Sequence, residues 1–212
     1  NQVFSGGSSL TKWPNEKLVD VVERFHQGLN TAGEKIKFVD SGYPIIQTRN
    51  ISNGEINLDN KIKFMSQDDW NKYNEKYRPE VGDVFFTNIG TIGKTAVVKE
   101  SLDYLIHWNI FKIRPLKVML SPEFLKYRLD FLTDTGYFSG SQKGGTVSFV
   151  TKKMMSSVEI PLPPMAEQYY IVDLLDKTYE KVQQLEKGYQ EKLNSLDELK
   201  KSLLQKAFSG EL

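Results

Sequence analysis

Apolar and polar positions divide this chain into a front of short alternating runs and a rear with one long repeat. Beyond Pro164, Ile171, Leu175, Val182, Leu185, Tyr189, Leu196, Leu199 and Leu203 recur at steps of three, four or seven, so on an α-helix they share one face. No proline interrupts this run, and its Gly188 costs about 1 kcal/mol against alanine without ending a packed helix. The pattern predicts a helix of about forty residues, roughly 60 Å long at 1.5 Å per residue, more than the remaining chain could cover. Part of the stripe therefore calls for a second helix. Asp176, Glu180, Lys181, Glu186, Lys187, Glu191, Lys192, Glu198, Lys200 and Lys201 flank it with the mixed charge of a solvated coiled-coil face, unlike the basic face of a membrane-surface helix.

The front, from Trp13 to about Ser157, reads as short strands separated by turns. The best strands are Tyr43 to Thr48, Ile56 to Leu58, Ile62 to Met65, Val84 to Thr87, Thr95 to Val98 and Asn109 to Ile113, punctuated by Ser52-Asn53-Gly54, Val81-Gly82-Asp83 and Gly90-Thr91-Ile92-Gly93. Ser66 suits the N-cap of a helix through Trp70, and Ser121-Pro122 opens another through Leu132. The predicted fold class is α+β, a mixed globular domain over residues 13–160 followed by a hinge and long helix over 161–212. Residues 1–12, rich in Gly and Ser, read as a linker or the end of a preceding helix.

With 212 residues the chain is long enough for one filled domain plus an extension. It has no cysteine, which fits a cytoplasmic protein and rules out thiolate metal sites. No run of about eighteen apolar residues and no signal segment is present, so no membrane association is expected. The net charge of +1 conceals an asymmetry: residues 1–165 hold 21 Lys and Arg against 18 Asp and Glu (+3), and residues 166–212 hold 7 against 9 (−2). A difference this small does not by itself point to nucleic acid, which responds to clustered cations. The Phe-Ser-Gly of Phe4 to Gly6 recurs at Phe208 to Gly210, as expected if the chain enters by the tail of an earlier copy of its own last helix.

Candidate chemistry is sparse. Gly90-Thr91-Ile92-Gly93-Lys94-Thr95 suggests a phosphate loop, but the pattern needs glycine five positions before Gly93, where Asn88 stands, so a turn between strands is the better reading. His26 and His107, the only histidines, cannot form an ordinary zinc site without cysteine. His107-Trp108-Asn109 could face a ligand at a strand entrance. No nucleophile motif and no Asn/Asp-Pro-Pro-aromatic methyltransferase motif occurs, so catalysis by this chain is not expected. The polar loop Ser139 to Thr146 is the most suggestive stretch. Its Ser141, Gln142, Lys143, Gly144, Gly145 and Thr146, followed by Lys152, combine phosphate-binding and base-reading groups with glycines that allow close approach. Arg49 and Asn50, and Asn88 with Thr91 and Lys94, offer the same chemistry.

The hinge Ile160-Pro161-Leu162-Pro163-Pro164-Met165-Ala166-Glu167-Gln168, leading through Ile171-Val172 to the terminal Phe208-Ser209-Gly210-Glu211-Leu212, resembles the conserved-region helix of specificity (S) subunits of type I restriction-modification enzymes. Trp13 to Leu18, Gly82-Asp83-Val84, Thr91 to Lys94 and Gly144-Gly145-Thr146 resemble, more loosely, one target recognition domain of that family. The resemblance implies a non-catalytic subunit that binds double-stranded DNA and docks methyltransferase (modification) and restriction subunits. S-adenosylmethionine, ATP and Mg would belong to those partners, with no cofactor in this chain. A usual S subunit has two recognition domains and two antiparallel helices. One of each implies half of a longer subunit or a half that forms a homodimer, reading one part of a bipartite site. The alternative is a coiled-coil interaction module whose head does not bind DNA; a self-sufficient methyltransferase is more remote.

Overall fold

The computed structural model describes residues 13–58, 61–139 and 149–210. The fold is α+β with a long C-terminal helix. A first compact unit ends at Tyr169 and a second begins at Tyr170. Residues 1–12, including the expected linker and the first Phe-Ser-Gly, lie outside the described residues.

Among the described residues, four sheets build the first unit. The largest contains β2 (Val22–Gln27), β10 (Ile110–Pro115), β7 (Val84–Thr87) and β8 (Thr95–Val97), in that order and antiparallel throughout. A second places β3 (Tyr43–Ile46) between antiparallel β6 (Lys63–Met65) and parallel β9 (Leu105–Ile106). Two small pairs complete the set: β4 (Ile51–Ser52) with β5 (Glu55–Ile56), and β1 (Asn15–Lys17) with β11 (Glu159–Pro161). The β1 to β11 register joins Asn15 to Pro161, so the front of the domain is tied directly to the hinge.

Helix α1 (Gln67–Tyr77) starts as the sequence predicts, with Ser66 Oγ accepting from Asp69 N–H at 3.1 Å. Its Trp70 and Tyr73 join Leu29, Ile45, Met65 and Leu105 in one apolar cluster. A second cluster unites Ile46, Ile51, Tyr104 and Ile106 with Phe85, Ala96 and Ile110 of the large sheet. Helix α2 (Pro122–Asp134), capped by Ser121, packs across β7, β8 and β10. A short helix, α3 (Lys152–Ser156), follows Thr151, whose Oγ1 accepts from Met154 N–H at 3.1 Å and caps it.

One end of the large sheet carries a buried charged network. Arg114 donates to Asp83 through Nε at 2.7 Å and Nη2 at 3.0 Å, and Nη1 reaches Glu80 at 2.7 Å. Nearby, the Lys112 ammonium is buried on the carbonyls of Arg78 and Lys76, at 2.7 and 3.4 Å, where α1 ends. Cations favour that end of a helix. Burial nevertheless pulls the Lys112 amine down to about 8, an effect opposed by Asp83.

Helix α4 (Met165–Ser209) is continuous over 45 residues. Its root, within the first unit, is held by the hinge glutamine. Gln168 is fully buried; its Oε1 accepts from Ser121 N–H at 2.9 Å, and its Nε2 donates to Met119 and Pro163 carbonyls at 2.8 and 2.9 Å. This is the physical content of the Pro-Leu-Pro-Pro-x-x-Glu-Gln pattern: three backbone groups at the ends of two elements are satisfied by one amide.

Candidate nucleic-acid interface

At the end of the sheets opposite Asp83 and Arg114, four connections converge. The first is the β7 to β8 hairpin. Thr87 Oγ1 donates to Thr91 O and accepts from Lys94 N–H at 2.9 Å, while Gly90 and Gly93 take φ of +79° and +90°. A Cβ at Gly93 would lie 2.2 Å from Thr133 Cγ2 of α2, so glycine is required here for both conformation and space. The loop leads from strand to strand, not strand to helix, which removes the phosphate-loop alternative.

The second connection is the turn after β3, where Thr48 to Asn50 form one turn of 3₁₀-helix. Arg49 is exposed and its guanidinium donates to Gln47 Oε1. Asn50 must be removed from the DNA-facing candidates. Its side chain is buried, with Oδ1 accepting from Gln47 N–H at 3.0 Å and Nδ2 donating to Asn57 O at 3.2 Å, so it shapes the turn instead.

The third is His107-Trp108-Asn109, where the chain passes from β9 in one sheet to β10 in the other. His107 N–H donates to Ile46 O and Asn88 N–H to Asn109 O, at 2.8 and 3.0 Å, which lock this turn against the other two. Burial, reinforced by Lys63 and Arg49 and opposed by the Asn109 hydrogen bond, lowers the His107 pKa and keeps the ring neutral. The fourth is the segment returning at Phe149 and Val150, where Val150 N–H donates to Asn88 O at 2.8 Å. Its predicted contributors Ser141, Gln142, Lys143, Gly144, Gly145 and Thr146 lie outside the described residues.

Asn88, Thr91, Lys94 and Arg49 are thus brought to one end, but unequally. Thr91 and Arg49 are exposed, Lys94 is half-buried, and Asn88 is buried with an Oδ1 that has no partner among the described residues. Lys152 is exposed on α3, its ammonium 5.5 Å above the Phe25 ring, set back along β2 from the cluster. Sequence reasoning missed Thr31 and Lys63, which reach the cluster only through tertiary packing, and placed His107-Trp108-Asn109 at a strand entrance that could face a ligand without singling out Asn109. Among the described residues no group of His, Asp and Glu could hold a metal ion, and no helix is long and apolar enough to cross a membrane.

The stripe on α4 is largely uncovered. Val182, Leu185, Tyr189, Leu196, Leu199 and Leu203 are all exposed, with Leu185 at 60% and Leu196 at 62%. Ile171 is already buried and Leu175 half-buried, so Ile171 drops out of the surface predicted to meet a partner. The spacing is stricter than the apolar residues alone indicate: including Thr178 and Lys192, steps of four and three alternate without a break from Ile171 to Leu203. That is the a/d ladder of a left-handed coiled coil with two polar positions.

Residues 11–195 match the family described as Type I restriction modification DNA specificity domain. The chain belongs to this family. It is 27% identical over 204 residues to the putative type I restriction enzyme MjaX specificity subunit of Methanocaldococcus jannaschii, covering 93% of this chain and 45% of that protein. It is also 27% identical over 185 residues to the EcoBI specificity subunit of Escherichia coli, covering 87% and 38%. Among solved structures, the HsdS subunit from Thermoanaerobacter tengcongensis matches with a TM-score of 0.67 and 26% identity, covering 100% of this chain and 49% of that one. A chain from a study of complex assembly and conformational transition of the type I R-M system matches with a TM-score of 0.76 and 26% identity, covering 100% and 50%. The chain spans about half the length, or less, of these specificity-domain relatives.

Proposed function

We propose that the chain is one half of a type I DNA specificity subunit: the head reads one part of a bipartite duplex site, and the helix pairs with a second helix of its kind. The observation that carries this reading is the convergence of Arg49, Thr91, Lys94 and the His107 to Asn109 turn at one end of two sheets. Cations there can hold phosphates while carboxamides and hydroxyls meet base edges, the division of labour that sequence readers require. Family membership over most of the chain supports the same assignment.

The exposed a/d ladder supports the pairing. A helix of 45 residues, about 68 Å at 1.5 Å per residue, reaches across roughly two turns of duplex at about 34 Å each, enough to hold two heads on separated half-sites. The second helix comes from a twin chain or from the other half of a longer polypeptide. In this reading methyltransferase and restriction subunits dock on the assembly, catalysis and the use of S-adenosylmethionine, ATP and Mg reside with them, and the complex works in the cytoplasm.

Binding to a random duplex pool across a salt series tests the assignment. The expected result is an enriched motif and a linear fall of log affinity with log salt, with Arg49→Ala or Lys94→Ala each lowering the slope by about one. Absence of any salt-dependent duplex binding would reject it in favour of a protein-binding coiled-coil module.

A further inference from the structure

The turn between the two sheets is more elaborately built than a connection needs. Gly28 makes room for it: a Cβ there would stand 2.3 Å from Ile106 O and 2.5 Å from His107 O, so only glycine lets the segment after β2 lie against the turn. That approach brings buried Thr31 to the imidazole. His107 then spans two side chains, with Nε2 3.2 Å from Thr31 Oγ1 and Nδ1 2.9 Å from Asn109 Oδ1. A carboxamide oxygen only accepts, so Nδ1 carries the hydrogen, and in the neutral ring Nε2 accepts the Thr31 hydroxyl proton.

The relay fixes one orientation of the Asn109 amide. Its Oδ1 keeps a second lone pair, and its Nδ2 has no partner among the described residues. On one side stands Trp108, exposed at 39%, whose carbonyl accepts from Gln27 Nε2 at 3.0 Å. On the other is the hairpin, through Asn88 N–H to Asn109 O. Thr31, His107 and Asn109 thus form a buried-to-accessible line that ends on an amide with both N–H donors and one acceptor lone pair still to use.

We propose that Asn109 is a specificity-determining residue that reads adenine through its carboxamide, and that His107, anchored by Thr31, is the positioning residue that sets the amide's orientation. The proposal rests on the DNA-reading assignment above. Nδ2–H donates to adenine N7 and Oδ1 accepts from the N6 amine in the major groove, the bidentate pairing that suits Asn.

Selection of bound duplexes from a random pool, followed by sequencing, tests it on the whole chain. Wild type should return a motif containing an adenine that Asn109→Ala weakens by roughly ten- to a hundredfold, at that position alone and with the salt slope unchanged. Asn109→Asp keeps the shape and the acceptor for His107, and should shift the same position toward cytosine, whose N4 amine needs an acceptor. His107→Leu should reproduce the loss. His107→Asn, whose Nδ2 stands near the lost Nδ1, should restore much of it.

A wild-type motif unchanged in Asn109→Ala, or weakened evenly at every position, overturns the assignment of Asn109 and leaves DNA reading intact. Equal losses in His107→Leu and His107→Asn overturn the positioning role. A wild-type chain that enriches no motif rejects the DNA-reading assignment and this proposal together.

Discussion

Replacing Leu185 and Leu196 together with lysine should separate the helix pair proposed above while leaving the head folded. In the single chain these side chains are 60% and 62% exposed, so partnering can still remove about three-fifths of their surface from water. Full burial of a leucine is worth about 1.5–3 kcal/mol, so each contributes about 1–2 kcal/mol to association. A symmetric pair contains each leucine twice, giving about 4–7 kcal/mol, or roughly three to five orders of magnitude in dissociation constant. Lysine stems that lie along the seam with their ammonium groups in water would keep the effect near the lower limit. Sedimentation equilibrium at micromolar concentration is the assay, with wild type expected at twice its 24.4 kDa mass and the variant at the single value. The melting of the head should not change, because both sites are exposed within the chain. A wild type that stays at single mass at tens of micromolar refutes the twin arrangement, and a variant that keeps the double mass shows pairing through another face.

Lys192→Leu should tighten the association and make its register less unique, since a charged residue on an a/d ladder specifies alignment at a cost in stability and only Thr178 would remain as a polar position; crosslinking between cysteines introduced along α4 would show more than one alignment. Gln168→Ala should lower head stability by about 3 kcal/mol, because Ser121 N–H and the Met119 and Pro163 carbonyls lose one shared partner; urea unfolding measures it, and a loss below 1 kcal/mol would show that water replaces the amide. Gly93→Ala should destabilise more than Gly90→Ala, since both have positive φ but only the former meets α2; equal losses in thermal melts would contradict the close approach. For Lys112 the folded pKa of about 8 lies below the ordinary 10.5, so the charged form is disfavoured in the fold. The unfolded chain holds the extra proton between those values, and stability should rise with pH there. Wild type minus Lys112→Met isolates this rise, with a slope near 1.4 kcal/mol per pH unit and a total of up to about 3 kcal/mol; a flat difference would show that the amine stays charged.

The parts of the fold legible in the sequence are those whose signal is local. Ser66 and Ser121 announce their helices because an N-cap acts within three residues, and α4 declares itself through a repeat that no other structure accommodates. Strand β2, by contrast, reads Val-Glu-Arg-Phe-His-Gln, with no clean alternation, because it is an edge strand whose polar groups stay partly in solvent. Strands β1 and β11 lie far apart in sequence and are defined only by each other, and exposed Asn15, Glu16 and Lys17 give no burial signal. The candidate site divides along the same line. The hairpin glycines are readable as turn chemistry and Arg49 as an exposed cation, whereas Asn50 has the composition of a reader and is consumed by its own turn. Thr31 and His107, 76 residues apart, are joined only by the fit of Gly28 against the turn.

In the proposed DNA-reading role, this architecture separates stability from reading. Asp83, Arg114 and Lys112 hold the sheet together near one end of β7 and β10, while Arg49, Thr91 and Trp108 are carried on connections at the other. Exchanging exposed residues at the reading end leaves the buried ion pair and both apolar clusters unchanged, so such substitutions should cost within about 0.5 kcal/mol. Buried positions there behave differently, Gly28, Thr31, Asn50, Thr87 and Gly93 among them, since each is fixed by backbone approach or buried hydrogen bonds. Target preference can therefore change over the exposed part of the cluster without refolding the head, provided these residues keep the loops at their stations.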